Sequence, residues 1–320
     1  MIWPLGYSGR AMGGPADTIV MPMGEEAIAK AARLILAGQP VAVPTETVYG
    51  LAADATNAEA VARIYAAKGR PAFNPLIVHV PDLASAERIG RFNDEAVALA
   101  GRHWPGPLTL VVPLRAESGI AGIVTAGLPT IALRVPAHPV MHALLKACGG
   151  PLAAPSANAS GLISPTRASH VLASLGGRIP LVIDGGATQR GIESTIVAAT
   201  DGRLRLLRRG PIEIDAAEVA SPSKVEAPGQ LAAHYAPSKP LRLDAASAEG
   251  DEFMIGFGSV GGDVSLSVHG DPIEAAARLF DMLHQADTAP EPRIAVAPIP
   301  GDGIAPALPD PLKPGAAPRS

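Results

Sequence analysis

The chain contains 320 residues, of which 48% are hydrophobic and only 3% aromatic, and its formal net charge is −4. This length and apolar content predict one large domain or two ordinary ones with a sizeable aliphatic core, and they exclude a chain that is disordered throughout. The negative charge disfavours a general nucleic-acid coat protein, and the single cysteine, Cys148, excludes an internal disulfide and a cysteine zinc site.

Short apolar runs alternate with alanine-rich helical runs in the first 210 residues. The predicted buried strands are 39–44, 76–80, 108–113, 130–135, 181–184 and 194–197. The predicted helices are 25–37, 58–67 after the N-cap Asn57, 94–103 after the N-cap Asn93, and 139–147, which opens on a proline. This alternation predicts an α/β domain.

A segment rich in Pro, Ser and Ala separates this domain from a smaller β/α unit. The smaller unit has predicted strands 241–243, 252–256 and 293–297 and a helix from Pro272 to about residue 286 that Asp271 caps. The predicted organisation is an N-terminal extension 1–17, a main domain 18–210, a linker 211–240, a small C-terminal α/β domain 241–300 and a proline-rich tail 301–320. No signal peptide and no membrane-spanning run is found, so we expect a cytoplasmic protein.

Two patterns resemble functional motifs but are better explained otherwise. The stretch GFGSVG at 256–261 matches G-x-G-x-x-G, yet no helical pattern opens at its third glycine, which favours a glycine-rich turn over a dinucleotide site. His138 and His142 are four residues apart without an evident third metal ligand, which favours a surface or packing pair. The Walker A and G-x-S-x-G motifs are absent.

The stretch K-G-R-P at 68–71 is a candidate phosphate-binding element. Pro71 favours extended geometry at Arg70, and Gly69 permits a turn, so Lys68 and Arg70 are expected to converge on one point. A planar guanidinium and a compact ammonium together suit a polyphosphate. The alternative is a solvated cationic pair at a helix C-terminus, where the helix dipole favours positive charge.

Further candidate segments follow later strands. The loop AAPSANASGLISPT at 153–166 is crowded with hydroxyl and amide groups, with Ser156 and Asn158 two residues apart; a capped helix start at 164–166 is a compatible alternative. The stretch DGGATQRGIESTIV at 184–197 has a glycine pair after a strand, which indicates a close approach of the backbone. The alternating run at 203–210 places Arg208 or Arg209 at a strand end.

Together these segments resemble the YrdC-like threonylcarbamoyl-AMP synthases, in the longer form with an extra C-terminal domain. The matching stretches occur in the family's order across nearly all of residues 18–300, and the K-x-R and S-x-N signatures are met by Lys68, Arg70, Ser156 and Asn158. The resemblance implies a twisted mixed sheet with flanking helices, followed by a small Rossmann-like domain. The proline-rich tail departs from the family because it forbids the usual final amphipathic helix.

The resemblance also implies a reaction. Enzymes of this family condense L-threonine, bicarbonate and ATP to threonylcarbamoyl-AMP and pyrophosphate, and a partner transferase then modifies the adenosine beside the anticodon of certain tRNAs. Mg²⁺ is expected with ATP, because a bare triphosphate concentrates charge. Weak RNA binding and no membrane contact complete the expected interactions. Two alternatives stay open: a carbamoyl-adenylate-forming enzyme and a non-catalytic RNA-binding module.

The resemblance assigns individual residues by their matched positions. The implied catalytic residues are Lys68 and Arg70. The implied ATP-binding residues are Lys68, Arg70, Asn74, Ser156, Asn158, Ser164, Arg208 and Tyr235. The implied threonine-binding residues are Thr45, His79, Thr125, Arg134 and Ser194. From the residues alone, a satisfied core histidine is the usual interpretation of His79, and Arg134 requires an anion or a buried partner. Tyr235 fits an anchor for the linker equally well.

Overall fold

The structure, a computed structural model, describes residues 17–71, 73–200, 202–214, 218–219 and 237–300. The predicted N-terminal extension up to residue 16, most of the predicted linker and the proline-rich tail therefore lie outside the described residues. Within the described part, no helix is both long and apolar enough to cross a lipid bilayer.

A large mixed sheet forms the centre of the main domain. Its strands are β1 (Ile19–Pro22), β2 (Val41–Val43), β3 (Gly50–Asp54), β4 (Ile77–His79), β5 (Leu108–Pro113), β6 (Thr130–Arg134), β7 (Leu152–Ala153), β8 (Leu181–Asp184), β9 (Thr195–Ala199), β10 (Leu204–Arg208) and β11 (Glu218–Val219). Among the described residues their spatial order is β1-β8-β2-β3-β7-β4-β6-β5-β9-β10-β11. Strand β6 pairs with β4 in parallel and with β5 antiparallel, so the predicted mixed sheet is confirmed.

Helices cover both faces of this sheet. They are α1 (Glu25–Leu36), α2 (Ala58–Lys68), α3 (Leu83–Ile89), α4 (Asp94–His103), α5 (Gly122–Thr125), α6 (Pro139–Cys148) and α7 (Ala168–Leu175). Along β8, Leu181 and Ile183 belong to the buried cluster that contains residues of α1 and α6, whereas Val182 belongs to the cluster that contains residues of α2, α4 and α7. This alternation follows from the two-residue period of a strand, and it explains why the central strands are apolar on both faces.

Local sequence accounts for the helix boundaries near the later site. The Asn57 side chain accepts hydrogen bonds from the amides of Glu59 and Ala60, at 3.0 and 3.1 Å, and so caps α2 as predicted. Helix α2 ends at Gly69, whose φ of +59° lies in the left-handed region that favours glycine. The cap and the terminal glycine together fix where the chain leaves the helix toward Arg70.

A second, smaller sheet follows the region of the predicted linker. Its parallel strands are β12 (Leu241–Arg242), β13 (Glu252–Gly256), β14 (Val264–Ser265) and β15 (Arg293–Val296), in the order β12-β15-β13-β14. Helix α8 (Pro272–Thr288) packs on this sheet through Leu279, Phe280 and Leu283. The Asp271 side chain accepts a hydrogen bond from the Ile273 amide at 2.8 Å, as its predicted role as N-cap requires.

The structure corrects several predicted elements. Strand 39–44 is shortened to β2, and β3 was not predicted because GLAAD at 50–54 has no β-branched residue. The predicted helix start at 164–166 is wrong, because α7 begins at Ala168 and Arg167 occupies its N-cap position. Helix α3 was also missed, although Asp82 caps it.

The competing motifs take the simpler structures. Residues 256–261 form a turn in which Phe257 and Val260 exchange backbone hydrogen bonds, and the chain continues into β14 rather than a helix. The His138 imidazole accepts a hydrogen bond from the Val140 amide at 3.2 Å and caps α6. Both observations agree with the interpretations favoured from the sequence.

Candidate active site

A pocket opens where several strands of the main domain end. The chain reaches it from the turn after β2, the end of α2, strand β4, the ends of β6 and β10, the turn after β7 and the segment before β9. Its lining residues are Thr45, Thr47, Val48, Gly50, Arg70, Ile77, His79, Arg134, Ala154, Pro155, Ser156, Glu193 and Arg208. The predicted site residues among them are Thr45, Arg70, His79, Arg134, Ser156 and Arg208.

Arg70 is held at the pocket wall by the turn that ends α2. Its Nε donates to the carbonyl of Asn74 at 3.2 Å, and its Nη2 donates to the carbonyl of Pro75 at 2.8 Å. Arg70 is 9% exposed and Lys68 is 2% exposed, so the alternative of a solvated cationic pair is wrong. The guanidinium is thus fixed in orientation while one part of it faces the pocket.

Lys68 lies behind the wall rather than in the lining. Its Nζ donates to the carbonyl of Ser156 and, at 2.5 Å, to that of Asn158, and the Ser160 amide donates to the Lys68 carbonyl at 2.8 Å. Burial, and secondarily the charge of Arg70, lower the pKa of the Lys68 amine well below its ordinary value. The expected convergence of both cations on one point is not seen, because α2 extends through Lys68 and turns only at Gly69.

The loop after β7 carries polar atoms that have no partner among the described residues. These are the Asn158 Oδ1 and the Ser160 Oγ, both buried. The Asn158 Nδ2 donates to the Leu162 carbonyl at 2.7 Å, which fixes the orientation of the amide. Buried polar atoms are rarely left unpaired in a native protein, so this loop has acceptor and donor capacity for a ligand or water.

Arg134 is buried, and it has both an anionic partner and neutral hydrogen-bond acceptors. Its Nη2 donates to Glu46 Oε1 at 2.5 Å, its Nη1 to Thr47 Oγ1 at 3.0 Å, and its Nε to the Gly106 carbonyl at 3.2 Å. Burial alone would raise the pKa of the Glu46 carboxyl, but the charge and hydrogen bond of Arg134 outweigh burial and hold that pKa below its ordinary value. The pair is therefore ionised, and three of the five guanidinium N–H groups have acceptors among the described residues, so two can serve a ligand of the pocket.

A second network connects the end of β10 to the loops around it. The Arg208 Nη2 donates to Ser194 Oγ at 3.0 Å, and its Nη1 lies 3.4 Å from Glu193 Oε2. Ser194 Oγ also lies 2.7 Å from Thr109 Oγ1, and Ser164 Oγ donates to Glu193 Oε1 at 2.7 Å. Ser164 and Ser194 are thereby joined to the pocket through Arg208 and Glu193, although neither lines it.

His79 contributes a neutral imidazole to the pocket. Burial, reinforced by the positive charge of Arg134, lowers the pKa of His79 to about 3. The ring is therefore uncharged at neutral pH. Its Nδ1 is buried and has no partner among the described residues. His79 is thus a neutral hydrogen-bonding group rather than the fully satisfied core histidine that its apolar strand also allowed.

The remaining predicted residues lie outside the lining. The Asn74 carbonyl accepts hydrogen bonds from Tyr65 and Arg70, which places Asn74 behind the Arg70 side chain. Thr125 Oγ1 donates to the Gly122 carbonyl at 3.2 Å and caps the end of α5. Tyr235 lies outside the described residues.

Sequence reasoning missed Glu46, Thr47 and Glu193. A usable signal was present, because Glu46 and Glu193 are acids in hydroxyl-rich segments at the ends of buried strands. Such an acid needs a cation when it is buried, and the structure supplies Arg134 to Glu46 and Arg208 to Glu193. The pairing joins residues far apart in the sequence and was not readable from local patterns.

Two family models match the chain. Residues 33–210 match the model Sua5_yciO_yrdC, described as "Telomere recombination", and residues 188–317 match "Threonylcarbamoyl-AMP synthase, C-terminal domain". The chain is 44% identical over 241 residues to the threonylcarbamoyl-AMP synthase of Bacillus subtilis, covering 71% of this chain and 69% of that protein. It is also 44% identical over 222 residues to the synthase of Pyrococcus abyssi, covering 65% of each.

Solved structures give the same picture. The structure of P. abyssi Sua5 complexed with L-threonine superposes with a TM-score of 0.84 at 34% identity, covering 93% of this chain and 96% of that one. Escherichia coli YciO superposes with a TM-score of 0.54 at 21% identity, covering 62% of this chain, which is a likeness of fold alone. The alignment with the threonine complex extends over both sheets.

Proposed function

Because this chain belongs to the Sua5/YrdC family of threonylcarbamoyl-AMP synthases, we propose that its pocket is where L-threonine, bicarbonate and ATP react. The chain is an ATP-using nucleotidyltransferase that forms threonylcarbamoyl-AMP and pyrophosphate. The threonine amine and bicarbonate give a carbamate with loss of water. A carbamate oxygen then bonds to the α-phosphorus of ATP, and the bond to the pyrophosphate oxygen breaks. No protein nucleophile is needed in this sequence, so catalysis is a matter of positioning and charge.

The observation that carries this proposal is the convergence of three arginines on one pocket. Arg70, Arg134 and Arg208 reach it from α2, β6 and β10, and hydroxyl groups lie between them. The reactants bring a triphosphate, a carbamate and a carboxylate, all of them anions. Fixed cations that need no reorganisation are suited to the charge that shifts onto the leaving pyrophosphate.

On the ATP side, Arg70, Ser156 and Arg208 contact the nucleotide, and Ser164 acts from behind Glu193. Lys68 and Asn158 set the shape of the loop that carries Ser156, since the Lys68 amino group donates to two carbonyls of that loop. Lys68 also approaches the phosphates if the loop carbonyls release it when ATP binds. Asn74 supports the Arg70 guanidinium, and Tyr235, which lies outside the described residues, is proposed as an ATP contact on the family resemblance alone.

On the threonine side, the two remaining N–H groups of Arg134 bind the carboxylate. Thr45 and the neutral His79 supply hydrogen bonds for the amine and the side-chain hydroxyl. Ser194 orients Arg208 toward the carbamate, and Thr125 supports the wall from α5. The buried Glu46 offsets the charge of Arg134 so that a single carboxylate, rather than a polyphosphate, suits this end of the pocket.

Mg²⁺ would accompany ATP rather than reside in the protein. Among the described residues, no group of three or more His, Cys, Asp or Glu side chains is arranged to hold a metal ion. The pocket carboxylates Glu46 and Glu193 are paired with arginines. The residues present therefore do not fit a dedicated magnesium site, and phosphate oxygens and water are its expected ligands.

In this proposal, the product threonylcarbamoyl-AMP is consumed by a second enzyme. A mixed anhydride of a carbamate and AMP is a reactive intermediate, so a transferase must take it on to the adenosine of tRNA, in the cytoplasm. Weak RNA binding by this chain would assist that transfer and is not required by the pocket.

The deciding experiment measures pyrophosphate release from ATP and bicarbonate with and without L-threonine, with the adenylate identified by mass. We expect release to depend on threonine and to fall strongly in Arg70→Ala, while Arg102→Ala, at the exposed end of α4, behaves as wild type. Release that ignores threonine but requires carbamoyl phosphate would support a carbamoyl-adenylate enzyme. RNA binding without turnover, unchanged in Arg70→Ala, would support the non-catalytic alternative.

A further inference from the structure

The small C-terminal domain contacts the loops that carry the pocket's polar side chains. Three residues of the main domain belong to the same buried apolar cluster as Leu279 and Leu283 of α8. They are Val48, Ile163 and Ile192, with 5%, 3% and 2% of their surface exposed. Residues from three separate loops thus belong to the core of the other domain.

Each of these apolar residues is the chain neighbour of a polar residue of the site. The three pairs are Thr47–Val48, Ile163–Ser164 and Ile192–Glu193. Each of the three loops thus places an apolar residue in the core of the C-terminal domain directly beside a polar residue of the pocket or of the Arg208 network. Val48 lines the pocket as well.

A histidine of α8 makes a directed contact with one of these loops. The His284 Nε2 donates to the carbonyl of Ser164 at 3.1 Å. The His284 ring stacks on His170 of α7, with centroids 3.8 Å apart and planes inclined by 22°. The stacked ring has a fixed orientation, so the hydrogen bond holds the Ser164 backbone in one place.

Two further contacts fix α8 against the main domain. Arg167 donates to both carboxylate oxygens of Asp281, at 2.7 and 3.2 Å. Gly191 approaches α8 so closely that a Cβ built on it would lie 2.1 Å from the Ala277 carbonyl oxygen. Helix α8 is therefore held by a directional ion pair and by a close backbone approach.

We propose that α8 of the C-terminal domain positions the ATP-binding loops, with His284 as the positioning residue for Ser164. The inference rests on the proposed function in that it assigns ATP to the Ser164, Glu193 and Arg208 side of the pocket. Holding the Ser164 carbonyl orients its hydroxyl toward Glu193, whose second oxygen faces Arg208. Side chains that are already ordered lower the entropic cost of binding, so the effect falls on ATP affinity.

The test compares His284→Leu, which removes the donor, with His284→Gln, which keeps an N–H group near the position of Nε2. The control is His269→Leu on the exposed surface of the same domain. We expect His284→Leu to raise the KM for ATP by about 3- to 10-fold, as for the loss of one hydrogen bond, with a smaller change in the KM for threonine. His284→Gln should recover most of the loss, and the control should match wild type.

Amide hydrogen exchange of segment 160–166 gives a readout that needs no turnover. We expect faster exchange there in His284→Leu but not in His284→Gln. This expectation does not depend on which reaction the protein catalyses. Equal ATP and threonine effects, equal impairment of both variants, or unchanged exchange would overturn the proposal. If His284→Leu does not fold, Asp281→Asn, which weakens the Arg167 contact, is measured in the same way with the same expectations.

Discussion

At Arg70, the contribution of the charge can be tested separately from the contribution of the shape of the guanidinium. Its Nε and Nη2 are both committed to carbonyls, of Asn74 and Pro75, while the side chain lines the pocket. A lysine offers the same charge as a point and has no fork that spans two acceptors. The position therefore needs the shape of the guanidinium as well as its charge.

We expect Arg70→Lys to lower kcat/KM for ATP about tenfold or more, the size of a lost charge-assisted hydrogen bond. Steady-state pyrophosphate release measures it, and Arg102→Lys at the exposed end of α4 is the control. A rate within twofold of wild type would show that charge alone is sufficient at this position.

Glu46 makes a prediction about stability and its pH dependence. Glu46→Gln leaves the buried Arg134 without a counter-charge and should lower the free energy of unfolding by about 3 kcal/mol at pH 7. Because the folded pKa of Glu46 lies below its ordinary value, this contribution is complete above pH 4.5 and is lost as the pH falls through the folded pKa. The difference between wild type and variant should therefore shrink in acid.

Urea unfolding at several pH values tests this expectation. Asp251→Asn removes the partner of Arg293 in an exposed ion pair and should have little effect. A Glu46→Gln variant as stable as wild type at pH 7 would mean that Arg134 does not depend on this carboxylate.

At the scale of elements, the loop between β8 and β9 combines glycines of positive φ with a close approach to α8. Gly186 and Gly191 both have positive φ, of 77° and 65°. A Cβ at Gly186 would meet nothing within 4 Å, whereas one at Gly191 would collide with α8. Substituting the two glycines therefore distinguishes the effect of backbone strain, common to both, from the effect of the contact with α8, which only Gly191 makes.

We expect Gly191→Ala to reduce activity and stability more than Gly186→Ala does. Both substitutions carry the penalty of about 1–2 kcal/mol for a left-handed alanine, but only Gly191→Ala forces α8 away from the loop. Thermal unfolding and the KM for ATP are the measurements. Equal effects in the two variants would indicate that strain alone matters and that the approach of α8 is unimportant.

At the scale of the whole molecule, the contact between domains contains titratable rings. Burial, and then the neighbouring His284, lower the pKa of His170 to about 4, although Asp281 acts in the opposite direction and Arg167 adds to the lowering. Burial also lowers the pKa of His284. Both rings are therefore neutral where they stack, and protonating them opposes the docked state.

We expect acid to weaken the molecule partly through this contact. With a folded pKa below the unfolded one, the stability from His170 is present above pH 6.5 and falls toward pH 4, by about 2 kcal/mol at pH 5. His170→Asn keeps an acceptor for the Thr166 amide and does not titrate, so its stability should fall less between pH 7 and 5. Parallel losses in denaturant unfolding of the two proteins would exclude this contribution.

Family resemblance and local sequence patterns predicted several of the elements that form the site. The turn at Gly69, the cap at Asn57 and the strands that carry His79 and Arg134 were predicted, because each depends on a few adjacent residues. The roles assigned to individual side chains remain predictions. The division between Lys68, which ties two segments together, and Arg70, which lines the pocket, was not predicted, because it depends on the exact residue at which α2 ends.

The amino-acid sequence by itself determined which segments become buried strands and capped helices, since apolar period and capping chemistry act over a few residues. Only the tertiary structure decided which distant groups meet: Glu46 with Arg134, Glu193 with Arg208, and Ile163 and Ile192 with the core of the C-terminal domain. The physical reason is that a buried charge or apolar side chain specifies what kind of partner it needs, while chain topology specifies which residue supplies it.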